Sequence, residues 1–212
     1  ATNPELFSAL VERILRFLEP FVERMLRAAE GRMDFFRMGD DFGTQRGLLI
    51  GPAQWRQFIQ PALRRLAGIA HAHGAHFYLH SCGAVRKLIP DLIEMGVDVL
   101  NPVQYNCPGM DPLDLKREFG ARLAFMGGVD TQRLLPAGTP DDVFRATRRL
   151  IEGMTADGGG YILAASHTVP PETPLANVYA MYGAAGIPRE TILDRAAELR
   201  RQVRDGSPRT EG

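Results

Sequence analysis

Cysteine is scarce in this sequence. Cys82 and Cys107 are the only two among 212 residues, too few for a disulfide framework. An excess of either charge is lacking as well. Lys and Arg total 25, Asp and Glu total 25, and the formal net charge is zero. Nucleic-acid-binding domains usually carry a basic excess, so no nucleic-acid partner is expected. Arginine is abundant, but it recurs in helical patterns beside glutamate and leucine and reads as solvated helix faces. No apolar run approaches the roughly 18 residues a membrane span needs, so no membrane partner is expected. No secretory signal is visible, although the first residue is Ala1 rather than Met. The expectation is a cytoplasmic protein. No G-x-G-x-x-G follows an apolar run. Gly158-Gly159-Gly160 precedes its run and reads as a turn, which weakens a dinucleotide reading.

What is present is a chain 45% hydrophobic and 24% charged, which suits one soluble domain with a sizeable core. Residues 4–29 show apolar positions at helical spacing (Leu6, Leu10, Ile14, Leu18, Val22), with Pro20 a potential kink. Strands are expected near 34–39, 76–81, 98–103, 122–127 and 160–166. Helices are expected over 53–72, 85–95, 113–119, 140–155, 174–183 and 188–203. Thr139 and Thr173 are candidate helix caps, and Asp130 is read as another. The histidines at 71, 73 and 76 are read as favouring a helix carboxyl end. The tail 205–212 is polar, with Gly and Pro, and reads as frayed. Strict alternation of strand and helix implies a parallel sheet with crossover helices, in either a doubly wound sheet or a (β/α)8 barrel. Both place functional residues at the carboxyl ends of strands.

The strand ends therefore carry the argument. Asp40 and Asp41 end the first strand, His80 and Cys82 the second, Gln104 the third, Asp130 the fourth, and Ser166-His167 the fifth. Residues two apart on a strand point the same way, so His80 and Cys82 project together. On its own, H-x-C is better read as a packed histidine beside an inert buried cysteine. With His167 it offers three ligands of the kinds catalytic zinc uses, leaving a position open. Cys107 is read as a partly exposed loop thiol rather than a fourth ligand. Asp40 and Asp41 suit orientation of a substrate or a ligand histidine, or simple loop capping.

Four segments resemble the uroporphyrinogen decarboxylase superfamily: GDDFGTQRGLLIGP at 39–52, HSCGAVRKLIPDLIEMGVDVLNPVQ at 80–104, FMGGVDTQRLL at 125–135 and GGYILAASHTVPPETPLANVYAMY at 159–182. They occur in family order and spacing. The resemblance implies an α/β fold of the (β/α)8 TIM-barrel type, with residues 1–204 supplying about the last five βα units. The first three strands are then missing, and exposed sheet edges would favour self-association.

The resemblance also implies two chemistries. The methyltransferase branch carries H-x-C on the corresponding strand and uses zinc to hold a thiol acceptor as thiolate, with a corrinoid as methyl carrier. His80, Cys82 and His167 are then the metal ligands, with His167 at or near a position where that branch has cysteine. Asp40, Asp41 and Gln104 are the candidates for a catalytic role, Gln104 standing where some relatives have glutamate. A small-molecule substrate and a corrinoid protein are the expected partners. The decarboxylase branch uses no metal and has histidine at the distal position. It gives the competing reading, a lyase of tetrapyrrole biosynthesis. An inactive, self-associating barrel fragment is the third.

Overall fold

The computed structural model describes residues 3–205. Of the tail expected to fray, 206–212 lie outside the described residues. Helix α1 (Pro4–Ala29) starts where the Asn3 side chain accepts the Leu6 N–H at 3.0 Å, with Pro4 in the first turn. Pro20 removes one backbone donor, yet the helix continues to Ala29 with Leu15, Val22 and Leu26 buried.

Strands β1 (Phe35–Gly39), β2 (His76–His80), β3 (Val99–Val103), β4 (Ala124–Val129) and β5 (Tyr161–Ala165) form one parallel sheet in chain order. The connections run through α2 (Pro52–Phe58) and α3 (Gln60–Ala72), then α4 (Ile89–Met95), α5 (Pro112–Phe119), and α6 (Leu134–Ala137) with α7 (Pro140–Met154). Helices α8 (Leu175–Ala184) and α9 (Arg189–Asp205) follow β5. This is an α/β fold matching part of a TIM barrel. Among the described residues β1 and β5 are its open edges.

Alternation sorts the side chains. Phe36, Phe77, Leu79, Leu100 and Phe125 face the helices and are at most 5% exposed. They form one core with Trp55, Leu66, Ile89, Leu92 and Leu115. The register pairs Arg37 with Tyr78, Gly39 with His80, and His80 with Asn101. In a parallel sheet paired residues share a face, so these line the inner side.

The expected strands are all present, and β4 runs further than its expected end. Gly127 and Gly128 pair with Leu163 and Ala164 despite φ of +119° and +90°. A Cβ on Gly127 would meet the Val103 N at 2.9 Å, so the close approach of β3 requires glycine. Two expected helices are divided. The stretch 53–72 breaks at Ile59, and 85–95 opens with a 3₁₀ turn at Arg86–Leu88. Pro61 and Pro90 cannot donate the helical bonds those junctions need. Helix α6 was not anticipated, because Pro136 interrupts its pattern. Thr139 caps α7 as expected, in a reciprocal box with Asp142. Thr173 does not cap α8. Pro174 is the capping residue, and the buried Thr173 hydroxyl has no partner. The expected histidine cluster is divided too. His71 pairs with Asp98 at 2.7 Å, His73 with Glu23 at 3.0 Å, and His76 opens β2.

Candidate metal centre

The loops after β1, β2 and β3 are laced together around residues 81–84. Four consecutive backbone N–H groups are taken up in turn. Ser81 donates to the Asn101 carbonyl at 2.7 Å and Cys82 to Asp41 Oδ1 at 2.8 Å. Gly83 donates to Gln104 Oε1 at 2.8 Å and Ala84 to the Thr44 carbonyl at 2.9 Å. The buried Ser81 hydroxyl accepts the Phe42 N–H at 3.0 Å. Gly83 has φ +85°, and a Cβ there would meet the Gly43 carbonyl carbon at 2.5 Å. Only glycine lets the two loops touch. The His80-x-Cys82 pair thus sits on a backbone with its donors spoken for.

From this platform His80 and Cys82 meet His167, delivered by the turn after β5. Ser166 N–H holds that turn to the Val129 carbonyl at 2.8 Å, and its buried hydroxyl lies 3.3 Å from that of Thr131. One donor atom from each of His80, Cys82 and His167 lies within 4.8 Å of the others. His80 Nε2 is 3.5 Å from Cys82 Sγ. The imidazole rings of His80 and His167 are 6.3 Å apart between centroids. His80 and Cys82 are half-buried and His167 is exposed, so the cluster opens to solvent on one side.

A further residue, missed in the sequence, orients the set. His80 Nδ1 lies 2.6 Å from Asn101 Oδ1, while Asn101 Nδ2 donates to the Met126 carbonyl at 3.4 Å. With the amide so placed, Nδ1 carries the hydrogen and Nε2 presents a lone pair toward Cys82. The available signal was one polar residue within the apolar run Val99-Leu100-Asn101.

Electrostatics oppose an ionised thiol in the metal-free site. Burial, followed by the charge of Asp41, pushes Cys82 up to about 11. A cation on the sulfur would have to displace that proton.

The residues expected to be catalytic divide. Asp41 lies 4.0 Å from His80 Nε2 and holds the Cys82 backbone. Gln104, 8% exposed, uses its oxygen to hold Gly83. Both hold the H-x-C-G loop by its backbone. Asp40 is not brought to the cluster. It borders an apolar groove with Leu10, Leu15 and Leu63, between α1 and α3. Asp130, expected to be a helix cap, closes the turn ahead of α6 instead, accepting N–H groups from Gln132, Arg133 and Leu134 at 2.8–3.1 Å, while Arg133 holds the cap position. Cys107, expected to be partly exposed, is 3% exposed with Sγ 3.5 Å from Gln45 Oε1. Its loop turns inward, with Met110 N–H donating to the Cys107 carbonyl at 3.1 Å and both side chains in the core.

The uroporphyrinogen decarboxylase (URO-D) family model matches residues 1–186. The chain belongs to the uroporphyrinogen decarboxylase family. Among its curated relatives is the methylated-thiol–coenzyme M methyltransferase of Methanosarcina mazei, 29% identical over 207 residues. That alignment covers 96% of this chain and 50% of the relative. The methylcobamide:CoM methyltransferase MtaA of Methanosarcina barkeri is 27% identical over 136 residues, covering 64% and 37%. The chain therefore spans half or less of these relatives. A solved methyltransferase from Methanosarcina mazei superposes with TM-score 0.58 at 26% identity, over 71% of this chain and 41% of that one. Among the described residues, no helix is long and apolar enough to cross a membrane.

Proposed function

We propose that this URO-D family member moves a methyl group between a corrinoid and a thiol acceptor, at a zinc ion held by His80, Cys82 and His167. The convergence of those three donors at the carboxyl end of the sheet carries the reading. The donor set fits the metal. Two imidazoles and a thiolate are ligands zinc prefers, and the 3.5 Å from His80 Nε2 to Cys82 Sγ matches the edge of a tetrahedral site. Zn–N of about 2.1 Å and Zn–S of about 2.3 Å make that edge about 3.6 Å. The relatives' names, which specify methyl transfer to coenzyme M, support the same reading.

Zinc bound there would hold the acceptor thiol as thiolate near neutral pH. The chain's own residues do the rest. Asn101 fixes the His80 tautomer, and Asp41 and Gln104 hold the loop that presents Cys82. The exposed side of His167 leaves room for acceptor and methyl donor. The acceptor sulfur gains the methyl group, the corrinoid gives it up, and the thiol proton passes to solvent. A corrinoid-binding protein is the proposed partner. The open edges of β1 and β5 suit pairing with further strands, so self-association is a second proposed contact.

The test supplies the full chain with methylcobalamin and a small thiol, with and without a chelator. Chelator-sensitive demethylation, abolished together with stoichiometric zinc by Cys82→Ala, is expected. Metal-independent loss of CO2 from uroporphyrinogen, unaffected by Cys82→Ala, would overturn the proposal in favour of decarboxylation.

A further inference from the structure

A cleft of about 360 Å³ lies between α5 and α7, where β4 ends. It shares no residue with the candidate metal ligands. Its walls are apolar, from Leu113, Val129, Leu134 and Leu150. Leu113 is 42% exposed, and its side chain lies over Gly153 of α7, where a Cβ would come 2.4 Å from Leu113 Cδ2. Glycine inside a helix costs about 0.5–1 kcal/mol relative to alanine, and here it admits that wall.

The polar groups bordering the cleft differ in what they have left to bind. Asp130 is spent. It is 1% exposed, and its carboxylate accepts from Asn106 Nδ2 and from three backbone N–H groups. Asp111 caps α5 with Oδ1 alone, which accepts the Leu113 and Asp114 N–H groups at 2.9 and 3.0 Å, so Oδ2 is left to a ligand. Arg145 and Arg148 of α7 are held by Asp141, Asp142 and Glu152, but Arg149 has no ion-pair partner among the described residues. Thr147 is 1% exposed, and its hydroxyl has no hydrogen-bond partner. Threonine in a helix divides between two χ1 wells, so a turn about χ1 can bring that hydroxyl into the cleft.

Charge gives the ligand class. The cleft offers one free carboxylate oxygen and one free guanidinium, and the two do not pair with each other. A molecule carrying a cation and an anion on one apolar body answers both. Volume sets the body. A cavity of about 150 Å³ holds benzene, so 360 Å³ has room for one aromatic or branched side chain together with an amino and a carboxyl group. We propose that this cleft binds an α-amino acid with an apolar side chain. Its carboxylate meets the Arg149 fork, its ammonium meets Asp111 Oδ2, and its side chain packs among Leu113, Leu134 and Leu150. The Thr147 hydroxyl gives the ligand a third hydrogen bond. Arginine suits the first of these contacts because its planar fork matches a carboxylate through two bonds.

The experiment titrates the full chain by calorimetry with L-phenylalanine, 3-phenylpropionate and phenethylamine. The second lacks the ammonium and the third the carboxylate. Wild type is expected to bind L-phenylalanine at least about 10-fold more tightly than either, as for hydrogen bonds to charged groups. Arg149→Met keeps the stem and should bring L-phenylalanine to within about 3-fold of phenethylamine. Binding of phenethylamine itself should not change, which shows the cleft intact. Asp111→Asn keeps a capping oxygen for α5 and should remove the advantage over 3-phenylpropionate. Thr147→Val should weaken L-phenylalanine without lowering the melting temperature of the ligand-free protein, because the hydroxyl it removes has no partner there. Absence of saturable L-phenylalanine binding by wild type would overturn the proposal. So would equal binding of the three compounds, or undiminished L-phenylalanine affinity in Arg149→Met.

Discussion

His80 and Asn101, register partners on adjacent parallel strands, are joined by a 2.6 Å contact between Nδ1 and Oδ1. The pairing makes the histidine's orientation a property of the sheet rather than of a loop. Its Nε2 is held toward Cys82 without help from solvent. Asn101→Ala should therefore weaken zinc binding by about 10- to 100-fold, the usual cost of losing a partner behind a ligand histidine. Competition with a chromophoric chelator measures this. Unchanged affinity would show that Asn101 does not orient the ligand.

Cys82 gives a pH signature in the metal-free protein. Its thiol is pushed up to about 11, first by burial and then by Asp41. A raised pKa keeps the protonated form to higher pH. At pH 8 only about one molecule in a thousand carries the thiolate, the reactive form. Alkylation of Cys82 by iodoacetamide, followed by peptide mapping, should keep rising about 10-fold per pH unit until near pH 11. An ordinary thiol levels off near 8.5. Asp41→Asn should move the plateau to lower pH without reaching the ordinary value, because burial remains. A plateau near 8.5 in the wild type would contradict the account.

The contact between the first two loops predicts where the site is fragile. Gly83→Ala places a methyl group against Gly43 and Thr44 in a left-handed backbone, a cost of about 1–3 kcal/mol before the clash is counted. Gln104→Ala leaves the Gly83 N–H without its acceptor, at about 1–3 kcal/mol. Urea unfolding should show both losses. Both variants should also lose zinc affinity, since the same loop presents Cys82. Full stability in Gly83→Ala would mean that the loops need not touch.

The alternation of apolar runs and helical patterns made the parallel sheet legible, and strand parity made His80 and Cys82 project together. The placement of His167 depended on parallel strands presenting their carboxyl ends on one side, since nothing local ties position 167 to position 80. Three things were hidden for physical reasons. Asp40 and Asp41 are adjacent, and sequence cannot tell which side of a loop each carboxylate takes. Gln104 appeared chemical because it ends a strand, but its oxygen is consumed by a backbone donor 21 residues earlier. Asn101 is hidden because one amide within an apolar strand gives no sign of its partner, and only the register sets it beside His80.

His167 tests whether the three donors act as one site. It is exposed and arrives from the far strand, so its removal should leave the fold intact. Its turn is held by Ser166 and Thr131, not by the imidazole. His167→Ala leaves His80 and Cys82, a two-ligand set. Losing a direct ligand should cost more than losing the partner behind one, so zinc affinity should fall by at least about 100-fold. Thermal unfolding of the metal-free protein should be nearly unchanged. His167→Cys keeps a donor of the right type and should recover most of the affinity, with a second sulfur visible in the X-ray absorption spectrum of the bound zinc. If His167→Ala binds zinc as tightly as wild type, the metal is held by His80 and Cys82 with ligands from elsewhere. The convergence of β2 and β5 would then have another purpose.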